Sequence, residues 1–223
     1  LYLTYGDTGI IRRQYESMKR WIDFMTAHSS EGCLFSYKLQ FGDWVALDAE
    51  EGSYFGATPT AYTCAAFYCY STRLFAKMAA VIGKAEDTAH YGRLAEELRK
   101  SFNEHFVNPD GTLTVKTQTA HIVALHLDLV PNELRPKLAA ELKRLLDANG
   151  GHLLTGFIGT PYFCHALSDN GYVRDAYSLL LKDDFPSWLY QVKKGATTVW
   201  EHWDGLKPDG TMWSPDMNSF NHY

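Results

Sequence analysis

Little in this sequence points to a membrane, a nucleic acid, a metal or a disulfide framework. No apolar run approaches the roughly 20 residues of a bilayer span, so no helical crossing of a membrane is expected within it. Lys and Arg number 21 against 26 Asp and Glu, a net charge of −5 with the signs interspersed. That surface lacks the basic stripe a nucleic-acid backbone requires. The 4 cysteines, Cys33, Cys64, Cys69 and Cys164, show neither CxxC nor finger spacing, and read as small buried hydrophobes. No His/Asp/Glu spacing argues for a catalytic metal, no glycine-rich loop has phosphate-cradle spacing, and no serine sits in a nucleophile elbow. Neither metal nor cofactor is therefore expected. The start, Leu1-Tyr2-Leu3-Thr4, has no initiator methionine and no signal-peptide pattern, and the end stops at Ser219-Phe220-Asn221-His222-Tyr223 without a tail. The chain reads as one fragment, residues 1–223, of a longer protein, which leaves targeting open.

What is present is a large apolar share, 46% of 223 residues, enough for a substantial core. It is distributed in two kinds of helix. Thr58-Pro59 opens the first strong one, with Thr as N-cap and Pro at the first helical position, running through Tyr62, Phe67, Tyr68, Leu74, Phe75 and Met78 to Gly83. It is apolar around much of its circumference. Asp87 is then expected to cap an amphipathic helix with Tyr91, Leu94, Leu98 and Phe102 on one stripe and Glu96, Glu97, Arg99 and Lys100 opposite. The alternation returns in the apolar stretch Thr117 to Leu129, followed by a charged helix from Arg135-Pro136 to Leu146 that ends at Asn149-Gly150-Gly151. A shorter apolar segment from Thr160-Pro161 to Leu167 turns at Asp169-Asn170-Gly171 into a helix carrying Val173, Ala176, Leu179 and Leu180. Ahead of all these, about Asp7 to Ala27, an amphipathic helix should bury Ile10, Ile11, Met18, Trp21, Ile22 and Met25.

Helices apolar all round are wrapped by others, whereas striped ones face solvent. Repeated inner–outer pairs predict an all-α fold, an α/α toroid or solenoid. Asn108-Pro109-Asp110-Gly111-Thr112 and Lys207-Pro208-Asp209-Gly210-Thr211 carry the same tight-turn chemistry and predict small β-hairpins in the loops.

The candidate chemistry lies in loops that precede inner helices: Phe41-Gly42-Asp43-Trp44, Thr155-Gly156-Phe157-Ile158-Gly159, and Trp200-Glu201-His202-Trp203 after Gly195-Ala196-Thr197-Thr198-Val199. A carboxylate flanked by indoles suits carbohydrate chemistry, because aromatic faces stack on the C–H face of a sugar while the carboxylate handles a proton. The competing reading is a tryptophan-rich core turn with a hydrogen-bonded glutamate.

These runs, together with Thr160-Pro161-Tyr162, Tyr177, Pro186-Ser187-Trp188-Leu189-Tyr190, Thr117-Gln118-Thr119-Ala120 and Ser219-Phe220-Asn221-His222-Tyr223, resemble in the same order the catalytic domain of α-L-rhamnosidases of glycoside hydrolase family 78. The resemblance covers essentially the whole chain. It implies part of an (α/α)6 toroid, with upstream barrel helices, accessory domains and the C-terminal end lying outside these residues. It also implies hydrolysis of terminal α-L-rhamnose from a glycoside or polysaccharide with inversion. Glu201 matches the family's general base, His222 its sugar-contacting histidine and Trp44 a tryptophan of the rhamnose pocket. Asp43 either bonds a sugar hydroxyl or holds its loop. Trp200 and Trp203 are assigned to the sugar, with the core open as an alternative for each. Trp188 and Tyr190 divide evenly between cleft and loop support, Trp213 reads as hairpin packing, and His121 and His126 as core. The family's general acid belongs to a motif ending in Gly-Trp that does not occur here, so the isolated fragment is expected to be inactive. Two alternatives stand beside this reading: a glycosidase of the same fold for another sugar, and a non-catalytic carbohydrate-binding helical module.

Overall fold

A computed structural model of the chain describes residues 1–222, and the final tyrosine of the Ser219–Tyr223 motif lies outside them. Its helices are α1 (Tyr2–Tyr5), α2 (Gly9–Ala27), α3 (Thr60–Val81), α4 (Ala85–Phe106), α5 (Gln118–His126), α6 (Arg135–Ala148), α7 (Phe163–Ser168), α8 (Val173–Leu180) and α9 (Trp188–Lys193). The one regular ladder among the described residues pairs β1 (Ser29–Ser30) antiparallel with β2 (Leu34–Phe35). The chain divides into two compact units, one of residues 1–40 and 60–110, the other of residues 41–59 and 111–223.

In the first unit α3 packs on α4 and α2. Tyr62, Ala65, Ala66, Phe75 and Ala79 of α3 are almost wholly buried, as are Leu98 and Phe102 of α4. Asp87 does not cap α4. The helix begins at Ala85 after Lys84, and the Asp87 carboxylate accepts instead from Tyr15 at 2.7 Å and Lys19 at 2.8 Å, both on α2. A first-turn carboxylate suits the helix dipole, so the position is acidic for that reason and for a tertiary contact. The Lys19 bond, followed by the Tyr15 bond, holds the Asp87 carboxyl below its ordinary value. A depressed carboxyl contributes stability that is present above its unfolded-state value and lost as pH falls through the folded one. The stability that Asp87 lends this unit should accordingly fade on acidification through the carboxylate range. The Asp87→Asn variant should show a flatter dependence of Tm on pH across the carboxylate range.

The face of α2 also departs from expectation. Ile11, Ile22 and Met25 are buried as anticipated and Tyr15 joins them, whereas Ile10 is 37% exposed and Trp21 50%. The indole of Trp21 stacks on Phe24 rather than entering the core. The short β1–β2 ladder went unanticipated because Glu31 and Gly32, its turn, carry the positive φ values of 46° and 80° in a stretch without alternating apolar residues.

In the second unit α5 packs on α6 and α7, and α7 on α8. Every residue of α5 from Gln118 to Leu125 is buried. The Thr117 hydroxyl caps the helix by accepting from the Ala120 N–H at 3.2 Å. These pairs follow the anticipated inner–outer alternation, with Ala139, Leu142 and Leu146 the buried stripe of α6, and Ala176 and Leu179 that of α8. The Lys207–Thr211 turn forms as expected, closed by the Lys207 N–H to the Thr211 carbonyl at 2.8 Å and a bridge between Leu206 and Met212. His121 sits in the core with Nδ1 2.8 Å from the Thr117 carbonyl, and burial pushes its pKa down. All four cysteines are free, with Cys33 and Cys69 buried.

Candidate active site

In the second unit Asp43 is met by the 156–159 loop and by the first turn of α5. Its side chain is 1% exposed. One carboxylate oxygen accepts from the N–H groups of Ile158 at 2.7 Å and Gly159 at 3.2 Å. The other accepts from the Gly156 N–H at 3.0 Å and from the Thr119 hydroxyl. Buried charge is tolerated only when its lone pairs are met, and here they are met entirely by protein. Of the two readings of Asp43, sugar ligand or loop holder, these four contacts accord with the second. Nearby main-chain bonds extend the clamp, from Phe157 N–H to the Trp44 carbonyl at 3.1 Å and from Leu47 N–H to the Leu154 carbonyl at 2.9 Å.

The loops approach so closely that Gly156 has no room for a side chain. A Cβ there would stand 2.0 Å from the Trp44 carbonyl oxygen and 2.7 Å from the Ala46 nitrogen. Both are backbone atoms and cannot swing aside. Gly156→Ala should therefore cost about 3 kcal/mol, read as a lowered Tm, and should separate the 155–159 loop from the 43–46 segment.

Trp44 is half-buried in an aromatic group. It stacks on Tyr54 at 4.9 Å and 11°, and meets Phe41 and Phe55 edge-on at 5.4 and 5.3 Å. Phe41 is 57% exposed and Phe55 38%, so apolar ring surface remains open at this edge. Tyr54 and Phe55 were overlooked in the sequence, although Gly52-Ser53-Tyr54-Phe55-Gly56 places two aromatics between glycines in the loop before α3.

Glu201 lies in a segment paired with the end of the chain. Its N–H donates to the Ser219 carbonyl at 2.8 Å, the Ser219 N–H returns a bond to Glu201 Oε2 at 3.2 Å, and the His222 N–H donates to the Val199 carbonyl at 2.9 Å. The Thr198 hydroxyl adds a bond to the Phe220 carbonyl. This pairing brings His222 Nδ1 to 3.9 Å from Glu201 Oε2, with 9% of the glutamate side chain and 32% of the histidine side chain exposed. The His222 ring stands 5.2 Å from that of Phe157, itself 40% exposed and on the loop clamped by Asp43. The arrangement thus leaves a carboxylate with one oxygen held by a main-chain N–H, an imidazole beside it, and an exposed aromatic edge. Phe157 had no assigned role in the sequence, where its only signal was an aromatic between two glycines.

Trp200 and Trp203, assigned to the sugar with a core alternative, pack inward at 8% and 9% exposure. Trp200 meets Phe220 edge-on at 4.9 Å. Trp203 donates its indole N–H to the Thr155 carbonyl at 3.1 Å and meets Trp188 edge-on at 5.0 Å. Both therefore hold the Glu201 segment against its neighbours, in line with the core alternative for each. Tyr190 joins them as support, donating its hydroxyl to the Leu206 carbonyl at 3.0 Å. His202 is 2% exposed and lies flat on Trp213 at 4.3 Å, and burial pushes its pKa down. Trp213 also meets Tyr54 at 4.8 Å, a wider role than hairpin packing. His152 bonds the Pro186 carbonyl and the Asp184 carboxylate, at 2.9 and 3.1 Å. Among the described residues, no group of three or more His, Cys, Asp or Glu side chains is placed to hold a metal ion, and no helix is long and apolar enough to cross a membrane.

Comparison with known proteins gives a consistent picture. The chain is 39% identical over 223 residues to an α-L-rhamnosidase of Streptomyces avermitilis, covering all of this chain and 21% of that protein. It is 34% identical over 224 residues to an α-L-rhamnosidase of Formosa agariphila, of which it covers 24%. The crystal structure of the Streptomyces avermitilis α-L-rhamnosidase complexed with L-rhamnose superposes with a TM-score of 0.91, over 100% of this chain and 21% of that one. The native rhamnosidase of Aspergillus terreus superposes with a TM-score of 0.90 at 31% identity, over 100% of this chain and 26% of that one. The chain thus spans about a fifth to a quarter of the length of these relatives. Residues 1–223 match the bacterial alpha-L-rhamnosidase 6 hairpin glycosidase domain from end to end, and the chain belongs to that family.

Proposed function

We propose that the protein containing this chain hydrolyses terminal α-L-rhamnose from glycosides or polysaccharides, with Glu201 as the general base of an inverting reaction. The 223 residues would form part of one catalytic barrel. The observation that carries the reading is the Glu201–His222 pair, held by the two-way bonding between Glu201 and Ser219 and flanked by Phe157. The relatives named above, all α-L-rhamnosidases, support the choice of sugar.

In this reading the Ser219 N–H fixes one carboxylate oxygen of Glu201 and aims the carboxylate at an attacking water. Removing a proton from that water as it bonds the anomeric carbon raises its nucleophilicity at the moment of attack. His222 donates to or accepts from a ring hydroxyl, and the open faces around Trp44 and Phe157 cover the apolar side of the sugar. Inversion requires a second carboxyl group roughly 6.5–9.5 Å from the base to protonate the leaving oxygen. Asp43 is not that group, because its carboxylate is committed to the loops.

The test is hydrolysis of an aryl α-L-rhamnoside by the full-length protein, beside the matching aryl glucoside and mannoside. Release from the rhamnoside alone, with the freed sugar appearing first as its inverted anomer by NMR, is the expected result. Preference for another glycoside would keep the glycosidase and change the sugar. Release from none would favour a binding module.

A further inference from the structure

The turn that follows Glu201 is gripped at both ends by two adjacent residues, Asn218 and Ser219. At its start Ser219 pairs with Glu201 in both directions, and the Ser219 N–H holds Oε2 at 3.2 Å. At its close the Asn218 side chain donates from Nδ2 to the Gly205 carbonyl at 2.7 Å. The turn between them is tight, with the Gly205 N–H donating to the His202 carbonyl at 3.2 Å. Gly205 is buried, and a Cβ there would stand 2.7 Å from Asn218 Oδ1 and 3.2 Å from the His202 carbonyl oxygen. The asparagine amide therefore lies directly against the backbone of the turn.

The two grips differ in kind. Ser219 uses main-chain groups, which every residue except proline carries in full. Asn218 uses its side chain, so the seat of the turn's far end depends on that one amide. Its orientation is set by its partner, because a carbonyl only accepts and the NH2 must face it. Oδ1 is then left buried with no hydrogen-bond partner among the described residues, an arrangement that costs stability. A bond offset by an orphaned acceptor adds little to the net stability of the fold, and its main consequence is geometric. That geometry bears on the carboxylate. Oε2 of Glu201 is held by the Ser219 N–H and lies 3.9 Å from His222 Nδ1, whereas Oε1 has no hydrogen bond among the described residues. Oε1 is thus the oxygen open to a water molecule.

We propose that Asn218 is a positioning residue for the reaction: with Ser219 it fixes both ends of the 201–205 turn and so aims Glu201 Oε1 at the attacking water. This rests on the rhamnosidase reading, in which Glu201 is the general base. Asn218 touches neither sugar nor water and acts through the turn alone.

The test uses the full-length protein as wild type, Asn218→Ala, Gly205→Ala and the double variant, with kcat and KM on an aryl α-L-rhamnoside, Tm, and L-rhamnose affinity by calorimetry. Asn218→Ala removes the bond and the orphaned acceptor together. It should lower kcat by about 10–100-fold, the scale of a reacting group displaced by roughly 1 Å. KM, L-rhamnose affinity and Tm should stay near wild type, a split that a merely structural contact would not give. Gly205→Ala presses on the same amide from the other side and should also lower kcat, yet add little once Asn218 is alanine. Wild-type kcat in folded Asn218→Ala overturns the proposal, as does a fall in kcat matched by lost L-rhamnose affinity, or effects of the two substitutions that simply add. If Asn218→Ala does not fold, Gly205→Ala decides by the same split. If neither folds, the contact is structural and the proposal falls. Glu201→Gln is run in parallel. No rhamnoside hydrolysis by wild type, or none lost in Glu201→Gln, removes the proposed function, whereas hydrolysis that needs Glu201 but not Asn218 removes this inference alone.

Discussion

Replacing Glu201 by glutamine in the full-length protein should lower kcat on an aryl α-L-rhamnoside by about 10²–10⁴-fold, the usual worth of a positioned general base. The amide keeps the shape of the side chain and can keep an oxygen toward the Ser219 N–H, so the segment paired with Ser219 and His222 should stay in place. Thermal stability should therefore change little. KM should change little as well, because the lost interaction belongs to the transition state rather than to ground-state binding. A fall smaller than about tenfold, equivalent to ~1.4 kcal/mol of barrier, would remove Glu201 from the base role. The split between kcat and KM distinguishes this from a merely structural contact, which would move Tm together with activity.

The second large effect belongs to Asp43. Asp43→Ala would strand three main-chain N–H groups and the Thr119 hydroxyl in a site that is 1% exposed. Each orphaned buried donor costs about 1–3 kcal/mol, and water entering the vacated space recovers part of that. A net loss of about 4 kcal/mol is expected, among the largest effects of a single substitution. Tm measures it, and limited proteolysis should show new cleavage in the 155–160 loop. Asp43→Asn, which keeps an acceptor oxygen but turns one pair of contacts into donor-against-donor, should fall between wild type and alanine. Were Asp43 instead a sugar ligand, alanine would raise KM and leave Tm nearly unchanged.

The helix pairs were legible because their information is local. α5 is buried from Gln118 to Leu125 and was apolar all round, while α6 and α4 carry single stripes. Where a residue's partner lies far along the chain, the reading weakened. Asp87 reads as a cap in sequence but lies inside the first turn of α4 and binds Tyr15 and Lys19, some 70 residues earlier, which nothing near it in sequence reveals. Trp21 continues the apolar period of α2 but is half-exposed, since a period identifies a face without saying what covers it. The same limit governed the candidate site. Tryptophans flanking a carboxylate suggested a sugar cradle, but Trp203 spends its only donor on Thr155 and both indoles pack inward. Glu201 and His222 were marked by their runs and are brought to within 3.9 Å of each other. Phe157 and Tyr54 were silent because a loop aromatic between glycines reads equally well as packing.

The clamp at Asp43 grips the 156–159 loop through amide N–H groups rather than side chains. Every amino acid except proline carries that handle. Phe157 and Ile158 can accordingly be exchanged over evolutionary time without loosening the anchor, whereas Gly156, walled in by the Trp44 carbonyl, cannot. Under the proposed function, a lineage turning to a different saccharide could retool the residues that meet the newcomer and inherit the scaffold beneath them intact.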